Sequence, residues 1–158
     1  MKLTEIVVEQ AVTPALESTE RDGVLNEIVN TLVASGELDG GIRDEIVAKL
    51  LDRETKGSTG FGRGVAVPHA KHASVTKLIA AIGLSERGVD FASLDKQPVF
   101  SVVLLLSPQD QPEEHLQAME VIFKNLSKEN FRRFLRQAGT VEEVMTLLDE
   151  ADSQQLPG

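Results

Sequence analysis

The chain has 158 residues, 41% hydrophobic and 26% charged, which suffices for one domain burying roughly two-thirds of the surface its unfolded form exposes. It contains no cysteine, and this excludes a disulfide framework, a thiolate nucleophile and a sulfur-rich zinc site. With 16 basic against 25 acidic side chains the net charge is -9, which disfavours nucleic acid and anionic membrane surfaces and favours a basic partner. No apolar run approaches the roughly 20 residues of a membrane span. Glu5 stands where a signal peptide would have its apolar core, so a cytoplasmic location without membrane insertion is expected.

Within residues 3–8, Ile6-Val7-Val8 reads as a short edge strand. Ser18 or Thr19 then offers an N-cap to an amphipathic helix, in which Val24, Leu25, Ile28, Val29, Leu32 and Val33 recur at helical spacing up to Gly36. A second helix, capped near Asp39, carries Ile42, Ile46, Val47, Leu50 and Leu51 on one face. It ends near Lys56-Gly57, where glycine is favoured just past a terminus, and this places Arg53 in its last turn.

Beyond Gly57 the helical period gives way to short apolar runs separated by turn residues. Val65 to Val67, Leu78 to Leu84, Phe91 with its neighbours, and Val99 to Leu106 read as strands. The last is an unbroken apolar run suited to a central strand covered on both faces. After Pro108, Asp110 or Gln111 can cap a helix with Pro112 in its first turn and Leu116, Met119, Ile122, Phe123 and Leu126 on its buried face. Lys128 to Gln137 and Val141 to Asp149 read as two more helices, and Ser153 to Gly158 as a frayed end. This order, with no repeat and no low-complexity linker, specifies a single α/β domain over residues 1–150 and a short tail over 151–158. In it a mixed sheet is covered by helices on both sides.

The stretch Gly57-Ser58-Thr59-Gly60-Phe61-Gly62-Arg63-Gly64-Val65-Ala66-Val67-Pro68-His69 combines glycines and hydroxyls with a short strand that delivers a histidine. Backbone N–H groups of such a loop, Gly60 among them, can approach phosphate oxygens, while Pro68 fixes the backbone before His69. A neutral imidazole is a good nucleophile near pH 7. His115 falls in the first turn of its helix, where unpaired N–H groups and the dipole favour an anion; the plainer reading is a polar residue at the edge of an apolar face. Arg53 offers a planar fork to phosphate or to a loop carbonyl, or is simply favourable at a helix C-terminus. Ser58 and Thr59 can donate to a phosphate or form local turns. His72 reads as a surface residue.

These blocks resemble the active-site signature of phosphotransferase-system enzyme IIA domains of the fructose/mannitol type, a branch that includes stand-alone nitrogen-regulatory proteins. The family's Arg-Glu pair, Gly-Ser-Thr-Gly loop and Ala-x-Pro-His strand read here as Arg53-Glu54, Gly57-Ser58-Thr59-Gly60 and Ala66-Val67-Pro68-His69. Its second block reads as Gln97-Pro98-Val99, Leu104-Leu105-Leu106, Pro108-Gln109-Asp110 and His115-Leu116. The resemblance covers roughly residues 1–150. It implies a sheet of about five strands and a phosphotransferase component without metal or organic cofactor. His69 would accept a phosphoryl group on Nε2 from an HPr-like carrier, with His115, Arg53, Thr59, Ser58 and Gly60 in support. The donor would dock on an apolar patch around His69 ringed by acids. Ala70 departs from the glycine usual after the active histidine.

A regulatory role of the nitrogen-related kind is expected, since no IIB or membrane domain is attached. The alternative is a sugar-uptake component that passes phosphate to a cysteine of a separate IIB domain. A pure interaction module is disfavoured by the joint presence of His69, Arg53 and His115. The chemical rival is a metal site built from His69, His72 and His115 with Asp95 or Asp110, whose spacing matches no familiar ligand motif. A Walker-type nucleotide loop is excluded because Gly57 to Gly64 leads into a strand and lacks Lys-Ser or Lys-Thr.

Overall fold

The structure, a computed structural model, describes residues 1–156. Its axis is β6 (Val99–Pro108), buried at every position except Phe100, as its apolar run requires. β6 pairs antiparallel with β5 (Ile79–Val89) on one side, and parallel with β3 (Val65–Ala66) and β4 (His69–His72) on the other. β1 (Val7–Thr13) runs parallel to β5, and β2 (Gly60–Gly62) closes the opposite edge antiparallel to β3. The sheet is therefore mixed, with six strands where about five were expected.

Side chains alternate across a strand, so the sheet has two apolar faces. Val65, Val67, Ala80, Ile82, Leu84, Val103 and Leu105 pack on one face with α4 (Pro112–Leu126), α5 (Glu129–Gln137), α6 (Val141–Asp152) and the short α1 (Leu3–Ile6). Ala66, Ala70, Ile79, Ala81, Val102, Leu104 and Leu106 pack on the other with α2 (Arg21–Ala34) and α3 (Arg43–Thr55). Truncating a fully buried leucine such as Leu104 in this double layer costs about 2–5 kcal/mol. No helix among the described residues is long and apolar enough to cross a membrane.

Several boundaries differ from expectation, for reasons of tertiary contact. Of the expected strand Ile6-Val7-Val8, only Ile6 falls outside it, as the last residue of a helical turn over residues 3–6 that the Asp152 carboxylate holds by accepting the Leu3 N–H at 2.7 Å, the Thr4 N–H at 3.0 Å and the Thr4 hydroxyl at 2.7 Å. The strand, at the sheet edge as expected, starts only at Val7. α2 is entered from Glu20 instead of Ser18 or Thr19. Asp39 caps a 3-10 turn (Gly40–Ile42) through the Gly41 N–H at 3.1 Å, and α3 begins after it. Phe91 is fully buried but lies in no strand; the neighbouring Asp90 only bridges to Glu20. α6 continues to Asp152, past the expected end at Asp149, and Leu156 is buried. Pro157 and Gly158 of the expected frayed end lie outside the described residues.

Candidate active site

β3 and β4 are two halves of one line along β6. Val65 lies opposite Ser101 and His69 opposite Leu105, an offset of 36 residues in both. The interruption falls at Val67-Pro68, where proline has no N–H to give, although the Pro68 carbonyl still accepts from the Leu105 N–H at 2.9 Å. His69 therefore opens the second half instead of ending a strand. By alternation it shares the α4 face with Val65 and Val67, while His72, three residues on, takes the α3 face.

The Nδ1 of His69 is 2.8 Å from the Val67 carbonyl. A carbonyl can only accept, so the ring proton sits on Nδ1 and the Nε2 lone pair is left for other chemistry. Burial is the largest influence on the ring and holds its pKa below the ordinary 6.5; the Val67 bond opposes this, Arg53 lowers it further, Glu54 raises it and Lys71 lowers it. The His69 ring is thus kept neutral at pH 7.

His115 comes from the first part of α4, and its ring centroid lies 5.7 Å from that of His69 with the planes tilted by 52°. Burial, then Lys71, then His69 push its pKa down to about 4. The expectation of a free N–H at this helix start does not hold for His115 itself, whose N–H is donated to the Gln111 carbonyl at 3.1 Å. Its side chain is anchored instead, with Nδ1 2.7 Å from the hydroxyl of buried Ser107. Ser107 escaped the sequence reading. The available signal was a lone hydroxyl at the end of an apolar strand.

Arg53, in the last turn of α3, donates from Nη1 to the Gly57 carbonyl at 2.7 Å. It takes part in none of the ion pairs among the described residues, so the rest of its fork is available to a ligand. The neighbouring Glu54, to which no separate role was assigned, is buried and accepts both the Thr59 N–H at 3.1 Å and the Thr59 hydroxyl at 2.5 Å. Thr59 is itself fully buried. Ser58 donates to the Phe91 carbonyl and accepts the Gly60 N–H at 2.9 Å. A Cβ on Gly60 would stand 2.3 Å from the Ser93 hydroxyl, so glycine is required there for close packing. The donors that sequence reading offered to a phosphate from Thr59, Ser58 and Gly60 are hence committed to the loop's own scaffold.

His69 and His115 open into a depression of about 360 Å³ rimmed by Lys49, Asp52, Arg53, Lys56 and Lys71. The rim is cationic, not apolar and acidic as expected, and this suits an anion directly. Leu116, expected on the buried face of α4, is 59% exposed because Ala118, Ile122, Asn125 and Leu126 make that face. His72 is not a bare surface residue. Its Nδ1 accepts the Ser74 N–H at 2.9 Å, which leaves Nε2–H to meet Glu45 at 3.0 Å. The rival metal cluster is not assembled: His72 faces α3, and Asp95 accepts the Arg63 N–H at 2.9 Å. Among the described residues no group of three histidine or acidic side chains is placed to hold a metal ion.

The family model described as "Phosphoenolpyruvate-dependent sugar phosphotransferase system, EIIA 2" matches residues 5–151. The chain is 34% identical over 96% of its length to a "PTS system fructose-specific EIIABC component" of Bacillus subtilis, of which it spans only 24%. It is 35% identical to a "Nitrogen regulatory protein" of Pseudomonas aeruginosa over 95% of this chain and 99% of that one. Among solved structures, nitrogen regulatory protein IIA-Ntr from Neisseria meningitidis superposes with a TM-score of 0.82 at 28% identity, covering 91% of this chain and 97% of that one. With a family match across nearly its whole length, and with the fold of IIA-Ntr, the chain belongs to the EIIA 2 family of the phosphoenolpyruvate-dependent sugar phosphotransferase system.

Proposed function

We propose that His69 accepts a phosphoryl group on Nε2 from the phosphohistidine of an HPr-like carrier in the cytoplasm, and that its loading regulates a target protein. The observation that carries this reading is the 2.8 Å bond from Nδ1–H to the Val67 carbonyl, which leaves Nε2 free of a proton on a ring that lines the cationic depression. As the Nε2–phosphorus bond forms and the carrier's nitrogen–phosphorus bond breaks, positive charge develops on the ring, and the Val67 carbonyl stabilises it. In-line transfer between two nitrogens needs positioning and charge stabilisation more than acid-base work. Arg53, Lys49, Lys56 and Lys71 supply positive charge. His115 can donate from Nε2 when Ser107 donates to its Nδ1.

The carrier docks over the apolar residues that follow His115 on α4, where Leu116 is exposed. Leu116 and Phe123 are seven residues apart on α4, and Phe61 packs edge-on against Phe123 with centroids 4.8 Å apart. The likeness to a nitrogen regulatory protein over 99% of that protein's length supports the regulatory role. The likeness to the fructose-specific component supports a second reading, in which the phosphoryl group passes on to a IIB domain.

The test mixes the protein with purified, previously phosphorylated HPr-like carrier and measures its mass. Wild type gains one acid-labile phosphate and His69→Ala none. Label that persists in His69→Ala, or moves to His72, overturns the assignment.

A further inference from the structure

At the other end of the β3–β4 line lies a groove of about 470 Å³ that phosphoryl transfer on His69 does not use. Four of the chain's eight arginines line it, Arg63, Arg132, Arg133 and Arg136, with Phe100 as floor and Glu129 as its one acid. Its formal charge is 4 − 1 = +3, on a chain whose net charge is -9. None of these arginines, nor Glu129, belongs to an ion pair among the described residues. Arg132 and Arg136 are four residues apart on α5, and Arg133 and Arg136 three, so like charges are stacked on one helix face, an arrangement that is unfavourable when nothing answers it.

Structural duties account for part of this set. Arg132 donates to the Leu126 carbonyl at 2.9 Å, Arg133 to the Asn130 side chain at 2.8 Å, and Arg136 suits the last turn of its helix. Two features remain. The Arg136 guanidinium carbon lies over the Phe100 ring, 3.5 Å from its centroid, and this contact holds the fork at the floor of the groove. Arg63 sits at φ 59 between Gly62 at φ 106 and Gly64 at φ 80, where glycine or asparagine would fit with less strain. The Asp95 carboxylate holds that turn through the Arg63 N–H at 2.9 Å. A strained arginine kept where a smaller residue fits better has a use for its side chain.

We infer that this groove binds a small molecule carrying two or more phosphate groups, at a site separate from His69. Planar forks pair bidentately with phosphate oxygens; Arg63 and Arg136 offer two such forks, and Arg132 and Arg133, each already donating one N–H within the chain, add charge for a second phosphate. The volume is that of a small-molecule site. Ser101 and Leu105 mark the two ends of the line on β6, ~13 Å apart at strand rise, so both sites can be occupied together. The shared chemistry is a chain of phosphates, whether inorganic or part of a nucleotide.

The experiment titrates the whole chain with inorganic tripolyphosphate, with ATP and with inorganic phosphate at physiological salt, by calorimetry and by backbone amide NMR. Tripolyphosphate or ATP should saturate, with inorganic phosphate at least tenfold weaker, and shift the amides of Gly64, Ser101 and Arg136. ATP binding tighter than tripolyphosphate assigns a nucleotide; equal affinity assigns the phosphate chain alone. Arg63→Asn, which tolerates the left-handed backbone, and Arg136→Gln should each weaken binding at least tenfold, as loss of one charge-assisted bond implies. Both should leave phosphoryl acceptance on His69 unchanged, and His69→Ala should leave the titration unchanged. The inference is overturned if no polyphosphate binds, if binding ignores Arg63→Asn and Arg136→Gln but is lost in His69→Ala, or if a single-stranded oligonucleotide binds the groove far more tightly than either polyphosphate.

Discussion

The two ends of the β3–β4 line carry different kinds of positive charge. Around His69 stand three lysines and Arg53, with Asp52 among them and pairing with Lys56 at 3.2 Å. Around Phe100 stand four arginines that join no ion pair among the described residues. Lysine is a mobile, strongly hydrated point charge, whereas the guanidinium is a planar fork that loses little freedom on binding. Mobile charge suits a group that must arrive and leave, and fixed forks suit a ligand that stays. On the proposed reading, one sheet register supports a transfer site and a holding site, and the residues behind each determine which is which. At the transfer end the only fork, Arg53, is turned partly inward to the Gly57 carbonyl, so the contrast rests on how that loop is held.

The largest effect is therefore expected from Glu54. Replacing it by alanine leaves the buried N–H and hydroxyl of Thr59 without their acceptor, which at about 1–3 kcal/mol for each unsatisfied group predicts a loss of ~2–6 kcal/mol in urea unfolding. Surviving folded protein should accept phosphate poorly while the arginine groove still binds tripolyphosphate. Glu54→Gln keeps one acceptor and should lose less stability. If Glu54→Ala unfolds like wild type, the loop holds itself and Glu54 is not what distinguishes the two ends.

His115 tests the chemistry of the transfer end more gently. His115→Ala should still be labelled on His69, but onward transfer should slow by about one to two orders of magnitude, the equivalent of one hydrogen bond to a charged group at ~1.5–3 kcal/mol. His115→Gln should recover part of that. The same variant reports on pH. In the folded protein the His115 pKa is about 4 and in the unfolded chain about 6.5. Above pH 6.5 it is neutral in both states; as pH falls from 6.5 towards 4 only the unfolded chain takes the proton, so stability falls across that window. His69, also depressed, acts in the same direction. His115→Gln should flatten part of the slope in unfolding free energy against pH, and an unchanged slope would show that His115 is solvated in both states.

Much of this site was legible because its chemistry is local. The proline before His69 and the apolar run of β6 lie in short stretches, and their readings required no distant partner, whereas the glycine loop was legible as a loop but not in where its donors go. What escaped depends on residues that meet only after folding. Asp152 makes α1 from residues 3–5, which carry no legible signal of their own, and draws Ile6 out of the expected strand. Glu54 takes the Thr59 hydroxyl that looks free in sequence. Leu116 sits outward because an alanine and an asparagine, Ala118 and Asn125, complete the buried stripe of α4. The arginine groove joins Arg63 of the β2–β3 turn to α5, and no window of sequence contains both.

Ser107 gives the finest probe, because it acts through another side chain. Its hydroxyl is the partner of His115 Nδ1 at 2.7 Å in a fully buried position. When that hydroxyl donates, the imidazole proton is held on Nε2, the nitrogen free to face a phosphoryl group on His69. Ser107→Ala removes the anchor without touching the nucleophile or the donor. The loss of one ordinary hydrogen bond, ~0.5–1.5 kcal/mol, predicts a slowing of transfer by roughly two- to tenfold, smaller than that of His115→Ala. A purely structural serine could also slow transfer slightly, so the decisive reading is the tautomer. Nitrogen NMR of the imidazole should show the Nε2–H form dominant in wild type and mixed with Nδ1–H in Ser107→Ala. Phosphorylation of His69 places an anion beside His115, which should raise its pKa in both proteins. If the tautomer is the same in both, Ser107 fills space beneath His115, and the orientation of the second histidine must come from α4 alone.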